Sequence, residues 1–437
     1  MIILPQERGL GYTVIMRVYF SGIGGVGIGP LAEIAHDADY DVIGSDARDG
    51  LMTAQLHDNG IEIIIGQDGT QIATQHAQKP IDWFVYTSAL PHDHPELVFA
   101  REHGIRASKR DEFLAEFIRE RDLKLIAVAG THGKTTTTGL LVYAMQQLGI
   151  PLSYSIGTTL SWASSGAYDD ASGYFVYECD EYDRNFLHFE PFLSIITALD
   201  YDHVDIFTTP DDYKKAFVQF IQQSTYSILW EKDLRYLRTD LDANYESYDE
   251  LMDLSHIKLA GDHVRHNAFL VQKTLEKLFV NDEDISQRAI INAVNAFPGT
   301  GRRFEKLADN LYSDYGHHPI EIAATLQMAR ELNDHVVLVY QPHQNVRQHD
   351  VSDQYTDDIF ANADDIYWLP TYLSREDPEL ETLTPEQLSS SIGGDKVHIA
   401  ATDDKLWDAI NHHREAGHLV LIMGAGSIDG WIRTRLS

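Results

Sequence analysis

The run Leu123-Lys124-Leu125-Ile126-Ala127-Val128-Ala129, then Gly130-Thr131-His132-Gly133-Lys134-Thr135-Thr136, then apolar residues at Leu140, Leu141, Ala144, Met145 and Leu148, decides the architecture of this chain. Its first seven residues have strand length and strand composition, and its last part repeats at helical spacing, so the glycines fall on a strand-to-helix turn. Such a turn suits a polyphosphate: the glycines let backbone N–H groups close on phosphate oxygens, and the helix N-terminus adds partial positive charge. Lys134 is then expected to reach the β/γ-phosphates and the Thr135 hydroxyl to hold Mg²⁺. Val128 stands where the full G-x-x-x-x-G-K-[ST] pattern has its first glycine. A glycine turn with a solvated lysine is the plainer alternative, and the strand before and helix after weigh against it. A nucleotide-dependent enzyme or a nucleotide-driven switch follows.

Toward the N-terminus, Arg17 to Ser21 is a short β-type run leading into Gly22-Ile23-Gly24-Gly25-Val26-Gly27. A helical stretch with Leu31, Ile34 and Ala35 on one face comes next, then a strand at Val42-Ile43-Gly44-Ser45-Asp46. This is the βαβ pattern of a diphosphate-binding unit with an acid at the end of its second strand. The glycines specify close approach of backbone to a diphosphate without saying which: NAD, FAD and UDP-sugars all qualify, and a tight packing turn is the alternative. Further strands are predicted at Glu62–Ile65, Trp83–Thr87 and Gly104–Ala107, with the first domain ending near Asp122. Residues 1–15 precede a second methionine, Met16, and stay outside the fold argument.

Toward the C-terminus, Tyr174-Phe175-Val176-Tyr177-Glu178-Cys179-Asp180-Glu181 reads as a buried strand running into a cluster of carboxylates, and Leu193–Leu199 leads into Asp200-Tyr201-Asp202-His203-Val204-Asp205. Two strands that deliver acids at their ends point to one crevice above a parallel sheet. Mg²⁺ takes oxygen ligands, so Glu178 and one of Asp202 or Asp205 are metal candidates from chemistry alone. By the same chemistry His203 reads as a hydrogen-bonded structural residue, and Asp180, Glu181 and Asp183 fit a solvated loop equally well. Residues 208–300 read as mixed helix and loop, and Phe297-Pro298-Gly299-Thr300-Gly301 supplies the breakers of a hinge before Arg302. The remainder alternates again, with a helix carrying Ile322, Leu326 and Met328 and strands at Val336–Tyr340, Ile366–Leu369, Val397–Ile399 and Leu419–Met423. The expected fold class is α/β in three domains: a Rossmann-like domain over 1–122, a central phosphate-loop domain with a mostly parallel sheet over 123–301, and a Rossmann-like α/β domain over 302–437.

The 437 residues carry 34 Lys+Arg against 67 Asp+Glu, a net charge of −33. That balance argues against a nucleic-acid partner or an anionic membrane surface, and obliges any site for an anionic substrate to build its positive field locally. The one cysteine, Cys179, cannot form an internal disulfide, which fits a reducing cytoplasm. No apolar run reaches membrane-spanning length, so no membrane insertion is expected. The acidic stretches 357–365 and 377–381 read as solvated faces.

Taken together, these segments resemble the Mur ligase superfamily, ATP-dependent amide-forming enzymes of peptidoglycan assembly. The resemblance runs from Met16 to the C-terminus. Besides the two glycine loops it is carried by Tyr177–Asp183, Asp202–Asp205, Gly299–Phe304, Asp314–Pro319, Gln341-Pro342-His343 with Arg347, and Gly424-Ala425-Gly426. It implies a UDP-sugar domain, an ATPase domain and a domain that brings the amino acid, working on UDP-N-acetylmuramate and L-alanine with ATP and Mg²⁺ or Mn²⁺, as a monomer or homodimer. Gly130, Thr131, His132, Gly133, Lys134, Thr135 and Thr136 would hold ATP, joined by Asn267, Arg303 and Asp314. Thr135, Glu178 and His203 would hold metal, which reverses the structural reading of His203, and Lys134, Glu178 and His203 would be catalytic. Gly22, Gly24, Gly25, Gly27, Ser45, Asp46 and Ser88 would bind the UDP-sugar, displacing NAD. His317, His343 and Arg347 would receive the amino acid.

Three departures from the superfamily pattern bear on specificity. Val264 replaces an asparagine, Gln344 and Asn345 replace a basic-then-aromatic pair, and the Asp180-Glu181-Tyr182-Asp183 sequence also occurs in the related ligase that takes a murein tripeptide as its amine. That ligase is the alternative within the family. An NAD-dependent dehydrogenase or a non-catalytic phosphate-loop switch are alternatives outside it, and each leaves several of these segments unused. No base for the incoming ammonium is identified: His317, His318 or no protein group would serve. Lys214 and Lys215 are weak candidates for carbamylation.

Overall fold

The computed structural model describes residues 15–87, 90–203, 206–238, 241–374 and 376–436, with the side chain of residue 51 set aside. Among these residues the strands form three sheets. The first holds β1 (Arg17–Ser21), β2 (Asp41–Asp46), β3 (Glu62–Ile65), β4 (Trp83–Tyr86) and β5 (Arg106–Lys109) in the order β3-β2-β1-β4-β5, all parallel. The second holds β6 (Lys124–Ala129), β7 (Ser153–Ser155), β8 (Gly166–Ala167), β9 (Tyr174–Glu178), β10 (Leu193–Ile196), β11 (Ser227–Trp230) and β12 (Tyr245–Tyr248), ordered β12-β11-β10-β6-β9-β7-β8. The third holds β13 (Glu305–Ala308), β14 (Leu311–Asp314), β15 (Val336–Tyr340), β16 (Asp365–Trp368), β17 (Val397–Ile399) and β18 (Leu419–Met423), ordered β13-β14-β18-β15-β16-β17. The pairs β7–β8 and β13–β14 are antiparallel. The chain is therefore a three-domain, mostly parallel α/β protein, as its β/α alternation predicts.

By compactness the chain falls into two units, one of residues 1–126, 151–177 and 184–190, the other of 127–150, 178–183 and 191–437. In the first unit Tyr19, Ile43 and Phe84 from three neighbouring strands share a buried face with Ile72, Ile81 and Leu97. The reverse side of β1 carries Phe20, edge-on to Phe113 at 5.5 Å between ring centroids. Burial on both faces is why β1 reads as a continuous apolar run rather than an alternating one.

In the second unit the third sheet shows the same logic. Val336, Leu338, Tyr340, Leu419, Leu421 and Met423 pack on one side with Ile322, Leu326 and Trp368. Val337, Val339, Val420 and Ile422 pack on the other with Ile410, Ile428 and Ile432. The period-two alternation of side chains divides each uninterrupted run between two cores. Helices cover both faces, so the loops at the strand ends are left to carry chemistry.

Two local expectations change. Residues 208–300, read as helix and loop, also contain β11 and β12, which extend the second sheet in parallel beyond β10. Both are four-residue strands, too short for a periodic signal. The strand from Tyr174 stops at Glu178, and the following acids turn into a 3-10 helix at Tyr182–His188.

Candidate active site

The phosphate-loop glycines sit where β6 ends. Gly130 has φ +139° and Gly133 φ +84°, and Gly133 caps the helix Lys134–Gln147. Neighbouring strand ends hold the loop: Thr197 N donates to Ala129 O at 2.9 Å, Thr131 N to Ala198 O at 2.7 Å and Cys179 N to Val128 O at 2.9 Å. A Cβ on Gly130 would lie 2.8 Å from the Ala198 carbonyl, and one on Gly133 would lie 2.7 Å from Asn267 Nδ2. Glycine is required here by backbone conformation and by lack of space.

Lys134 Nζ donates to Gly130 O at 2.6 Å and to Glu181 Oε2 at 2.7 Å. Thr135 Oγ1 donates to Glu178 Oε1 at 2.8 Å. Glu181 is fully buried, and its Oε1 lies 3.5 Å from His203 Nε2. Lys134, Glu181 and His203 thus form one connected chain, with the Glu181 carboxylate between the ammonium and the imidazole. Burial works against the Lys134 ammonium, but Glu181, Asp180 and Glu178 outweigh it and hold its pKa above the ordinary value. Burial likewise opposes the Glu181 carboxylate and is overcome by Lys134 and His203, which hold its pKa down. His203 shows the same balance, its pKa raised by Glu181 and Asp202 against the cost of burial. One ligand atom each of Asp180, Glu181 and His203 lie within 4.8 Å of one another. The acids that fit a solvated loop on sequence grounds therefore include a buried residue, Glu181, central to the site. Its signal in the sequence was only its place two residues beyond a cysteine that follows an apolar strand. Asp205, weighed above as a metal candidate, lies outside the described residues.

A cavity of about 650 Å³ opens beside the loop. Residues 131–136, Glu178, Asn267, Arg303 and Asp314 line it, so every expected ATP contact except Gly130 borders one space. Its wall also includes Trp230, Leu259, Phe297, Ile320 and Met328, an apolar lining that sequence reading did not assign, with His266 beside Trp230. Trp230 ends β11, one of the strands missed above, and stands edge-on to His266 at 5.0 Å. Asp314, at the end of β14, accepts from Phe304 N and Gly316 N at 2.8 and 2.7 Å. Burial raises its pKa to about 6 against the pull of Arg303. Glu321, on the helix Pro319–Leu332, lies 3.3 Å from His132 Nδ1 and is held well below the carboxylate range: His132, His317 and Arg303 overcome its burial.

The three residues expected to receive the amino acid also meet. The Arg347 guanidinium donates to His317 Nε2, and His317 faces His343 at 5.7 Å between ring centroids. His343 stacks on Tyr372 at 5.7 Å. Burial pushes the His317 pKa down to about 4, and Arg347 adds to the effect. With Nε2 accepting from Arg347, His317 Nδ1 is placed to donate to Tyr315 O at 3.2 Å, so both ring nitrogens are engaged. His318, by contrast, has a buried Nδ1 with no hydrogen-bond partner among the described residues and a pKa lowered by burial, then by His132.

The glycine loop of the first unit is described by itself. Gly22 has φ +80°, and the N–H groups of Gly22 and Ile23 both donate to Ser45 O at 2.8 and 2.9 Å. Asp46 Oδ2 accepts from Gly24 N at 2.8 Å, which commits this acid to shaping the loop. Gly25 N closes the turn onto Gly22 O at 3.0 Å. A Cβ on Gly27 would run into the Arg110 guanidinium, so an unforeseen cation lies against the loop. The Ser45 hydroxyl is fully buried and donates to Glu96 Oε2 at 2.8 Å, as Ser21 does at 2.5 Å. Ser88 lies outside the described residues.

Family models match in three consecutive stretches: the Mur ligase family catalytic domain over residues 17–122, the Mur ligase middle domain over 128–251, and the Mur ligase glutamate ligase domain over 302–426. The chain belongs to the Mur ligase family. A UDP-N-acetylmuramate–L-alanine ligase of Porphyromonas gingivalis strain W83 is 31% identical over 450 residues, covering 94% of this chain and 96% of that protein. Among solved structures, the UDP-N-acetylmuramate–alanine ligase of Thermotoga maritima aligns with a TM-score of 0.76 at 23% identity, covering 96% of this chain and 98% of that one. A murein peptide ligase of Psychrobacter arcticus aligns with a TM-score of 0.65 at 24% identity and the same coverage. At these identities the two structures establish the fold. Membership makes this Mur ligase an ATP-dependent enzyme, which removes the dehydrogenase and the non-catalytic switch. No helix among the described residues is long and apolar enough to cross a membrane.

Proposed function

We propose that this Mur ligase joins L-alanine to the carboxylate of UDP-N-acetylmuramate at the expense of ATP, in the cytoplasm, as a step of peptidoglycan precursor synthesis. The observation that carries the reading is the 31% identity, over nearly the whole length of both chains, to a protein of that name. The site supports it in kind. A carboxylate is inert toward amines until its oxygen is made a leaving group, so the substrate carboxylate attacks the γ-phosphate of ATP and forms an acyl phosphate with release of ADP. The amine of L-alanine then adds to the acyl carbon, and the tetrahedral intermediate expels phosphate.

Little of this needs covalent help from protein groups; it needs positioning and positive charge where phosphoryl oxygens gather charge. Lys134 and the loop N–H groups from Gly130 to Thr136 are assigned that work. Asn267, Arg303 and Asp314 orient the nucleotide, and the apolar wall around Trp230 suits a purine base. Thr135, Glu178 and His203 are assigned to Mg²⁺ or Mn²⁺: a hydroxyl and one carboxylate supply the oxygen donors such an ion takes, and one imidazole stands beside the acids Asp180 and Glu181. When bound, the metal would neutralise γ-phosphate and carboxylate charge together. His317, His343 and Arg347 are assigned to the amino acid, with the Arg347 cation matched to its carboxylate. No base for the ammonium is assigned: both ring nitrogens of His317 are engaged, and the Nδ1 of His318 is buried. Gly22, Gly24, Gly25, Gly27 and Asp46 form the diphosphate cradle, with charge from Arg110. The proposed domain limits are 1–122, 123–301 and 302–437.

The deciding experiment gives the enzyme UDP-N-acetylmuramate, ATP and Mg²⁺ with a panel of amines, and follows ADP release. L-alanine should support turnover and the tripeptide L-Ala-γ-D-Glu-diamino acid should not. If the tripeptide alone drives ADP release, the peptide-recycling alternative suggested by residues 180–183 replaces this one.

A further inference from the structure

Two groups of three metal-ligating side chains occur among the described residues, and one of them lies away from the nucleotide cavity. The strands β15 and β18 pair in parallel with Val336 opposite Leu419, which sets the residues before them, His335 and His418, side by side. Leu419 N donates to His335 O at 3.0 Å, and the two imidazoles approach to 3.8 Å between centroids. His413, in the last turn of the helix Asp404–Glu415, completes the group, its Nδ1 3.1 Å from His418 Nδ1. One ring nitrogen from each of His335, His413 and His418 lies within 4.8 Å of the other two, and all three residues are half-buried.

The surroundings orient two of these rings, His335 and His413, from outside. Asp365, the first residue of β16, places Oδ2 3.3 Å from His335 Nε2 and Oδ1 3.1 Å from His398 Nε2. The Tyr367 hydroxyl lies 3.1 Å from His413 Nε2. A carboxylate or hydroxyl on the far nitrogen fixes the tautomer of an imidazole and turns its remaining lone pair inward, as around protein-bound metals. Tetrahedral ligands at zinc–nitrogen distances stand about 3.3 Å apart. The His413–His418 separation is already close to that, and His335 needs only a modest side-chain adjustment. Three imidazoles suit zinc, nickel or copper and do not suit magnesium or calcium, which take oxygen.

The place in the fold is distinct from the active site. Asp314, Gln341 and Gly424 lie at or just beyond the C-terminal ends of β14, β15 and β18, whereas His335 and His418 precede the N-terminal ends of β15 and β18. We propose that His335, His413 and His418 form a binding site for one zinc-class divalent ion, which ties the starts of β15 and β18 to the end of the helix Asp404–Glu415 and has no part in ATP chemistry.

The test uses the full-length, chelator-treated enzyme in saturating Mg²⁺, titrated with Zn²⁺ by calorimetry and with Co²⁺ by visible absorption. One equivalent should bind with a Kd of about 10 µM or tighter, with a tetrahedral-type Co²⁺ band and a raised thermal midpoint. His418→Asn should weaken binding by about 100-fold or more while Mg²⁺-dependent turnover stays unchanged. Glu178→Ala should bind Zn²⁺ as the parent does. The proposal fails if the parent protein shows no tetrahedral band, if His418→Asn binds normally, or if only Glu178→Ala loses the ion. Should His418→Asn not fold, His413→Gln takes its place with the same expected loss.

Discussion

At the scale of single residues, Glu181 is the group that joins the parts of the site. It pairs with Lys134 and lies against His203 in a buried position, and competes for the lysine that a γ-phosphate would engage. Glu181→Gln keeps shape and hydrogen bonding but removes the charge. His203 should then titrate at lower pH, readable by NMR of its ring protons, and an unchanged titration would show that Glu181 does not set it. The sign for stability follows from linkage. Because the folded pKa of His203 is raised, its contribution is complete below its ordinary pKa and is lost as pH rises through the folded value. Asp314 is a raised carboxylate, so folding is favoured with it protonated, and that contribution fades between the ordinary carboxylate range and about pH 6. Lys134→Ala should lower ATP turnover by about 10³-fold. Glu178→Ala should raise the Mg²⁺ concentration for half-maximal rate by about tenfold or more. Steady-state ADP release measures both, and near-normal kinetics in either variant would mean the crevice is misassigned.

Secondary-structure elements explain why these residues meet. The ends of β6, β9 and β10 deliver the phosphate loop, Glu178 and the Thr197-Ala198 step to adjacent positions, and parallel pairing keeps all three C-terminal ends together. Gly130 is the tightest point of this junction, with positive φ and a backbone carbonyl where its Cβ would be. Gly130→Ala should therefore cost about 2 kcal/mol or more of stability from strain and displacement of the loop. A denaturant midpoint matching the parent would show the turn to be softer than its geometry implies. In the third sheet the same rule places Asp314, Gln341 and Gly424 together: Gly424 N donates to Asp314 O at 3.0 Å and Gln341 N to Met423 O at 2.9 Å.

For the molecule as a whole, the dominant physical fact is a net charge of −33. Self-repulsion of that size opposes compactness and is screened by salt. The thermal midpoint should rise as NaCl increases from about 0.05 M to about 1 M, measured by scanning calorimetry at fixed pH. A flat or falling midpoint would mean that local ion pairs such as Arg433–Glu305 and Arg265–Glu331, which salt weakens, outweigh the global repulsion. An enzyme this acidic draws triphosphate into its site by local cations. In the proposed site Lys134, Arg303 and the N-terminus of the helix Lys134–Gln147, all at the cavity, would supply them.

Two properties were legible in the sequence because they depend on nearest neighbours along the chain. Apolar runs doubly buried in parallel strands announced the α/β class, and glycines between strand and helix announced the phosphate loop. The order of segments extended this to the family. What only the tertiary structure decided are the partnerships across distant sequence. Glu181 faces Lys134 and His203 because three strand ends converge, and Trp230 walls the cavity from a strand too short to leave a periodic signal. Ser45 turns its hydroxyl toward Glu96 although it adjoins a glycine-loop acid, because β2 is buried on both faces and its side chain points away from that of Asp46. Local pattern fixes which elements form; which side chains meet depends on sheet order and register, and no stretch of sequence contains either by itself.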